Sequence, residues 1–119
     1  MKIALDFDGT CVKNEYPKIG EDIGAVPILL ELVSKGHKLI LHTMRYGDGL
    51  RAAELWFKDN NIPLYSVQKD KGQHHWTKSS KCNADIYIDD KGLGCPLVKK
   101  ENERPYVDWS KVIELIENE

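Results

Sequence analysis

The feature that most constrains this chain is a short apolar run, Ile3-Ala4-Leu5, that stops abruptly at two carboxylates, Asp6 and Asp8, followed by Gly9-Thr10. A run of this kind with a β-branched start suits a buried strand. Glycine just past its end turns the chain sharply and leaves backbone N–H groups facing the mouth of the turn. In extended geometry Asp6 and Asp8 project to one side, while Phe7 points away into packing. Carboxylates beside a buried strand are costly without a partner, so a cation or a hydrogen-bond network is expected next to them.

The rest of the chain alternates strand and helix patterns. After an irregular flap over Cys11 to Gly24, Glu21 and Asp22 stand near a helix start, where acids suit the dipole. Ala25 to Lys35 then carries Val26, Leu29, Leu30 and Val33 at helical spacing, and Gly36 is a natural stop. Lys38 to Thr43 reads as a second buried strand, which makes a right-handed βαβ unit. Asp48 is placed to cap a second helix running to Asn60, with Leu50, Ala53, Trp56 and Phe57 on one face. Leu64 to Val67 reads as a third strand, Ile86 to Ile88 as a fourth ending in Asp89-Asp90, and Leu97-Val98 as a short fifth. Asp108 or Ser110 caps a last helix with Val112, Ile113, Leu115 and Ile116 inward. Such alternation predicts an α/β, Rossmann-like three-layer α/β/α fold with a central parallel sheet and helices on both faces. Ligands of such sheets gather at the carboxyl ends of the strands, where Asp6, Asp8 and Thr43 fall.

At 119 residues the chain builds one core, and a single domain over 1–119 is expected. A net charge of −2 gives no general electrostatic case for nucleic acid or membrane. No apolar run approaches a membrane span, and the chain opens directly on a strand rather than a leader. Three cysteines with no close pair fit reduced thiols, so a cytoplasmic location is expected. His74 and His75 are adjacent and cannot both face one metal from regular structure. No recognised zinc spacing joins them to the cysteines, so both read as loop residues or substrate contacts.

The segment Asp6-Phe7-Asp8-Gly9-Thr10 resembles the first motif, DxDGT, of the haloacid dehalogenase superfamily in its phosphatase branch. The resemblance implies that Asp6 is the nucleophile that takes the phosphoryl group. Asp8 is then general acid and base, and its backbone carbonyl helps hold Mg²⁺, the implied cofactor. The chemistry accounts for the spacing: a carboxylate nucleophile splits hydrolysis through an aspartyl phosphate, and its partner must reach the leaving oxygen and later the water. Thr43, within His42-Thr43-Met44-Arg45, is similar to the second motif, where a hydroxyl donates to a phosphate oxygen. Gly9, Thr10, Met44 and Arg45 are expected substrate contacts, Arg45 adding charge. Lys81, ahead of Ala84-Asp85-Ile86-Tyr87-Ile88, resembles the lysine of the third motif, with Lys78 in reserve. Asp89 and Asp90 resemble the fourth motif. The implied metal set is Asp6, Asp8, Asp89 and Asp90, with Asp89 the direct ligand and Asp90 acting through water or orienting Lys81.

The resemblance covers nearly the whole chain, but neither the Cys11–Gly24 nor the Gln68–Asn83 interval can hold a cap domain. A capless core with an open site is expected, its specificity carried near Tyr16 and Trp76. Such a site suits a phosphorylated macromolecule, or a phosphorylated small molecule covered by a neighbouring subunit of a homo-oligomer. A dinucleotide cofactor lacks its Gly-rich fingerprint after the first strand. Asp8 points to phosphorus rather than to dehalogenation at carbon. The functional expectation is a Mg²⁺-dependent phosphomonoesterase. Its alternatives are a phosphotransferase to an acceptor other than water and a non-catalytic phosphate-binding or regulatory domain of the same fold.

Overall fold

A computed structural model describes residues 1–118. Its strands are β1 (Lys2–Leu5), β2 (Lys38–Leu41), β3 (Ser66–Val67), β4 (Ile86–Ile88), β5 (Leu97–Val98) and β6 (Tyr106–Val107). Its helices are α1 (Ala25–Ser34), α2 (Gly47–Asp59) and α3 (Trp109–Glu117). The first four strands form one parallel sheet in the order β3-β2-β1-β4, and β5 and β6 make a separate antiparallel hairpin.

Strand order decides where everything else goes. From β1 the chain steps to β2 and then β3 in one direction, so right-handed crossovers put α1 and α2 on the same face. The step from β3 to β4 crosses back over β2 and β1 and must use the opposite face. The order reverses between β1 and β4, and the crevice beyond their carboxyl ends is the switch point where such sheets bind ligands.

Alternation along β1 separates two cores. Ile3, Leu5 and Phe7 join Leu39 and Leu41 against Leu29 and Leu32 of α1, Phe57 of α2, and Trp109, Val112 and Ile116 of α3. Within it, the Phe7 ring meets Trp56 edge-on at 5.6 Å and Phe57 at 6.1 Å. On the other face Ala4 and Ile40 are covered by Tyr65, Cys82 and Ala84. Apart from Tyr65, which precedes β3, that cover is the β3–β4 connection, which among the described residues contains only a 3-10 turn, Gln73–His75. The expected second layer of helix is therefore replaced by irregular chain. Its backbone is tied instead by Gln73, 1 % exposed, whose Oε1 accepts from the amides of Asp70 and Asn83 and whose Nε2 donates to the Lys81 carbonyl.

Smaller departures have local causes. Asp22, not a residue at the boundary, caps α1 by accepting from the amides of Ala25 and Val26. Leu30 is 38 % exposed because Leu29 and Leu32 are the residues that face the sheet. Asp48 lies inside the first turn of α2, behind Tyr46, and pairs with Arg51 rather than capping. Asp108 caps α3, as one of the two expected residues, while Leu115 faces outward at 57 % exposure. The cysteines are free, and among the described residues no helix is long and apolar enough to cross a membrane.

Candidate active site

β1 and β4 are paired so that Leu5 stands opposite Ile88, and Asp6 donates its amide to the Ile88 carbonyl at 3.0 Å. The residues that follow each strand are therefore brought side by side. One carboxylate oxygen from each of Asp6, Asp89 and Asp90 lies within 4.8 Å of the others. Burial, against the Phe7 amide that favours the anion, and then the charges of Asp89 and Asp90 push Asp6 up to about 7. Asp90 is raised too, by burial and by Asp89. An all-oxygen, all-anionic donor set crowded in this way fits a hard divalent cation.

Gly9 and Thr10 build this cluster rather than face the substrate. Gly9 adopts φ +82°, and a side chain there would collide with the Asp90 carboxylate. Its amide donates to Val12 O at 2.7 Å and that of Thr10 to Phe7 O at 3.1 Å, so neither is free at the mouth. Thr10 is wholly buried; its hydroxyl accepts from the Asp90 amide at 3.1 Å and stands 3.5 Å from carboxylate oxygens of both Asp6 and Asp90. Both were expected as substrate contacts; in the turn their amides are engaged by the chain's own carbonyls.

Asp8 stands apart from the trio. Both of its carboxylate oxygens accept from Arg45, Oδ2 from Nε and Oδ1 from Nη2, each at 2.8 Å. The remaining donors of Arg45 go to the carbonyls of Pro17, Lys18 and Gly49, which engages all five of its N–H groups. Its guanidinium carbon lies 5.1 Å from the ring centroids of Phe7 and Tyr16, and the residue is 2 % exposed. Arg45, expected as a substrate contact, thus lines the cleft with all its donors engaged by the chain itself. It clamps the flap to the second strand's loop and fixes Asp8, whose side chain lies outside the acidic trio and keeps a second lone pair on each oxygen.

Thr43 comes beside Asp6 because His42 donates its amide to Leu5 O at 2.8 Å. Gln68, at φ +66°, holds it from the end of β3: Oε1 accepts from the Thr43 amide and Nε2 donates to its carbonyl. The Thr43 hydroxyl accepts from the Arg45 amide at 3.1 Å, leaving its own hydrogen to donate. Met44, 95 % exposed, forms the rim. Together Asp6, Asp8, Asp90, Thr43, Met44 and Arg45 line a cleft of about 540 Å³ that also takes in Asn14, Tyr16, Lys91 and Arg104.

Lys81 does not line that cleft. Its Nζ lies 5.3 Å over the Tyr87 ring, and Tyr87 pairs with Ala4, so it stands on the Asp6 face but roughly 7 Å short of it along the strand. Lys78 borders a separate small pocket with His74. Trp76 is exposed and stands outside the cleft, whereas Tyr16 lines it as expected. Lys91 and Arg104 escape sequence reasoning. The signal for Lys91 was adjacency to Asp90; Arg104 had none before the hairpin was known.

No protein-family model matches the chain, and neither does any curated protein. Among solved structures it is similar to a conserved protein coded by a locus of Bacteroides thetaiotaomicron, at 38% identity over 99% of this chain and 90% of that one, with a TM-score of 0.83. The chain belongs to the same family as that Bacteroides protein.

Proposed function

We propose that the protein is a Mg²⁺-dependent phosphomonoesterase of the haloacid dehalogenase type, with Asp6 as nucleophile and Asp8 as general acid and base. The observation that carries this reading is the gathering of Asp6, Asp89 and Asp90 at the switch point of a parallel sheet, next to a separately held Asp8.

In the first step an Asp6 oxygen attacks phosphorus and the ester P–O bond breaks, while Asp8 supplies the proton that the leaving alkoxide takes. In the second, Asp8 takes a proton from water, which attacks the same phosphorus and releases phosphate from Asp6. Thr43 donates its hydroxyl hydrogen to a phosphoryl oxygen. Lys81 contributes to charge stabilisation only by leaving Tyr87. Asp6, Asp89 and Asp90 would hold Mg²⁺, which supplies charge neutralisation between an anionic nucleophile and an anionic phosphate. Arg45 keeps Asp8 in place between the steps.

The test is release of phosphate from an aryl phosphate with and without Mg²⁺. Turnover that needs the metal and falls at least about a thousandfold in Asp6→Asn supports the reading. Equal turnover in Asp6→Asn would sink it. Beryllofluoride, which mimics a phosphoryl group on a carboxylate, is expected to raise the Tm of the native chain but not of the variant.

A further inference from the structure

Past Asp90 the cleft does not end. It continues by Asn14, Lys91 and Arg104 into an adjoining pocket of about 290 Å³ that Asp90 lines from the cleft side and Leu97 and Pro105 bound. Its two cations come from different parts of the chain. Lys91 is set by the turn after β4, where its amide donates to Asp89 Oδ1 at 2.9 Å and the Gly92 amide to Asp89 O at 2.8 Å. Arg104 sits on the connection between β5 and β6, and that hairpin is fastened beside the first loop by the Val107 amide, which donates to Gly9 O at 3.0 Å. The neighbouring acid, Glu103, is taken by Lys13 at 3.1 Å.

Among the described residues neither Lys91 nor Arg104 forms an ion pair. Lys91 is near enough to Asp90 to favour its charge, but neither cation lies within 4.0 Å of Asp6 or Asp90, so both keep donors for a further anion. Two unpaired cations at the far end of a cleft call for an anion between them.

We infer that Lys91 and Arg104 form a subsite for a second anionic group, so that the substrate is a small phosphomonoester carrying a further phosphate or carboxylate. The inference rests on the phosphomonoesterase reading for the scissile group; the second group is argued from the cations alone. One end of the molecule lies at Asp6 and Thr43, and the other reaches the hairpin.

A matched pair tests it: a hexose bisphosphate against the corresponding hexose monophosphate, with a phosphoglycerate to tell a carboxylate from a phosphate as the second group. KM for the bisphosphate or the phosphoglycerate is expected about tenfold below that of the monophosphate, a gap that closes in the Lys91→Gln, Arg104→Gln double variant and shrinks as salt rises. Both side chains are exposed, so the variants keep their fold. Affinities are measured in parallel by calorimetry on the Asp6→Asn chain, which needs no turnover. Should none of the three be hydrolysed while a compound with two anionic groups still binds about tenfold tighter than the monophosphate and loses that advantage in the double variant, the hydrolase reading falls and the subsite stands. Equal or unmeasurable affinity for all three, or a preference that survives the double variant, overturns the subsite.

Discussion

The two ends of β1 hold acids in opposite ways. At its start, Asp70 accepts from Lys2 Nζ at 2.8 Å and from Asn83 Nδ2 at 3.0 Å, and Asp85 accepts from the Lys2 amide at 2.7 Å. Those hydrogen bonds hold Asp70 below the usual carboxylate range although it is only 6 % exposed. At the far end Asp6 meets burial and two more acids, and is pushed up to about 7. Burial is common to both sites; donors outweigh it at Asp70, whereas the Phe7 amide does not offset it at Asp6. A perturbation of the second kind is the one that, in proteins generally, clusters where chemistry is done.

The sharpest way to break this contrast is Asp6→Asn. The folded chain keeps the Asp6 proton up to about 7, and the unfolded chain loses it near about pH 4. Between those values the folded state binds more protons, so stability falls as pH rises. In EDTA the native Tm is therefore expected to drop across that window and to recover when Mg²⁺ is added. Asp6→Asn is expected to give a flatter profile and a Tm higher by roughly 5 °C at about pH 8. A native Tm that climbs across the window without metal would refute the contrast.

Arg45→Lys is the next test, because Asp8 is an acid of the upper end that does have a donor. Lysine keeps the charge but loses the fork and the bonds to the Pro17 and Lys18 carbonyls. A fall in kcat/KM of roughly 10- to 100-fold is expected, with a lower Tm. Unchanged kinetics would mean that Asp8 is oriented without Arg45.

The smallest effect belongs to the lower end. Asp70→Ala removes the partner of Lys2 and Asn83 and should lower Tm by roughly 5 °C while kcat/KM stays within about twofold. Because the folded value of Asp70 is depressed, its contribution is complete above about pH 4 and is lost as pH falls through that lowered value. The gap between native and variant should therefore narrow in acid, and a parallel loss of activity would blur the division between the two ends.

What could be read from the sequence was local or periodic. The strand ends that carry Asp6 and Asp89-Asp90 were legible because apolar runs stop there, and Thr43 followed from its place after the second run. Reading Gln68 to Asn83 as polar and irregular agrees with the fold. The helix layer expected on that face is missing for the same reason, since nothing else in the chain crosses there. The clamp made by Arg45 was not legible because its partners lie at positions 8, 17, 18 and 49, and no window on the sequence brings them together. The bonding of Gly9 and Thr10 within their turn was not legible because an exposed turn and an internally bonded one have the same residues.

The indole of Trp109 donates to the Thr10 carbonyl at 2.7 Å, joining residues 99 positions apart. During synthesis, the loop that carries both aspartates leaves the ribosome well before the indole that braces it. Contacts of such sequence separation close late and slowly. A nascent chain thus carries Asp6 and Asp8 before α3 can brace their loop, and the Thr10 turn is tied down only once that helix docks.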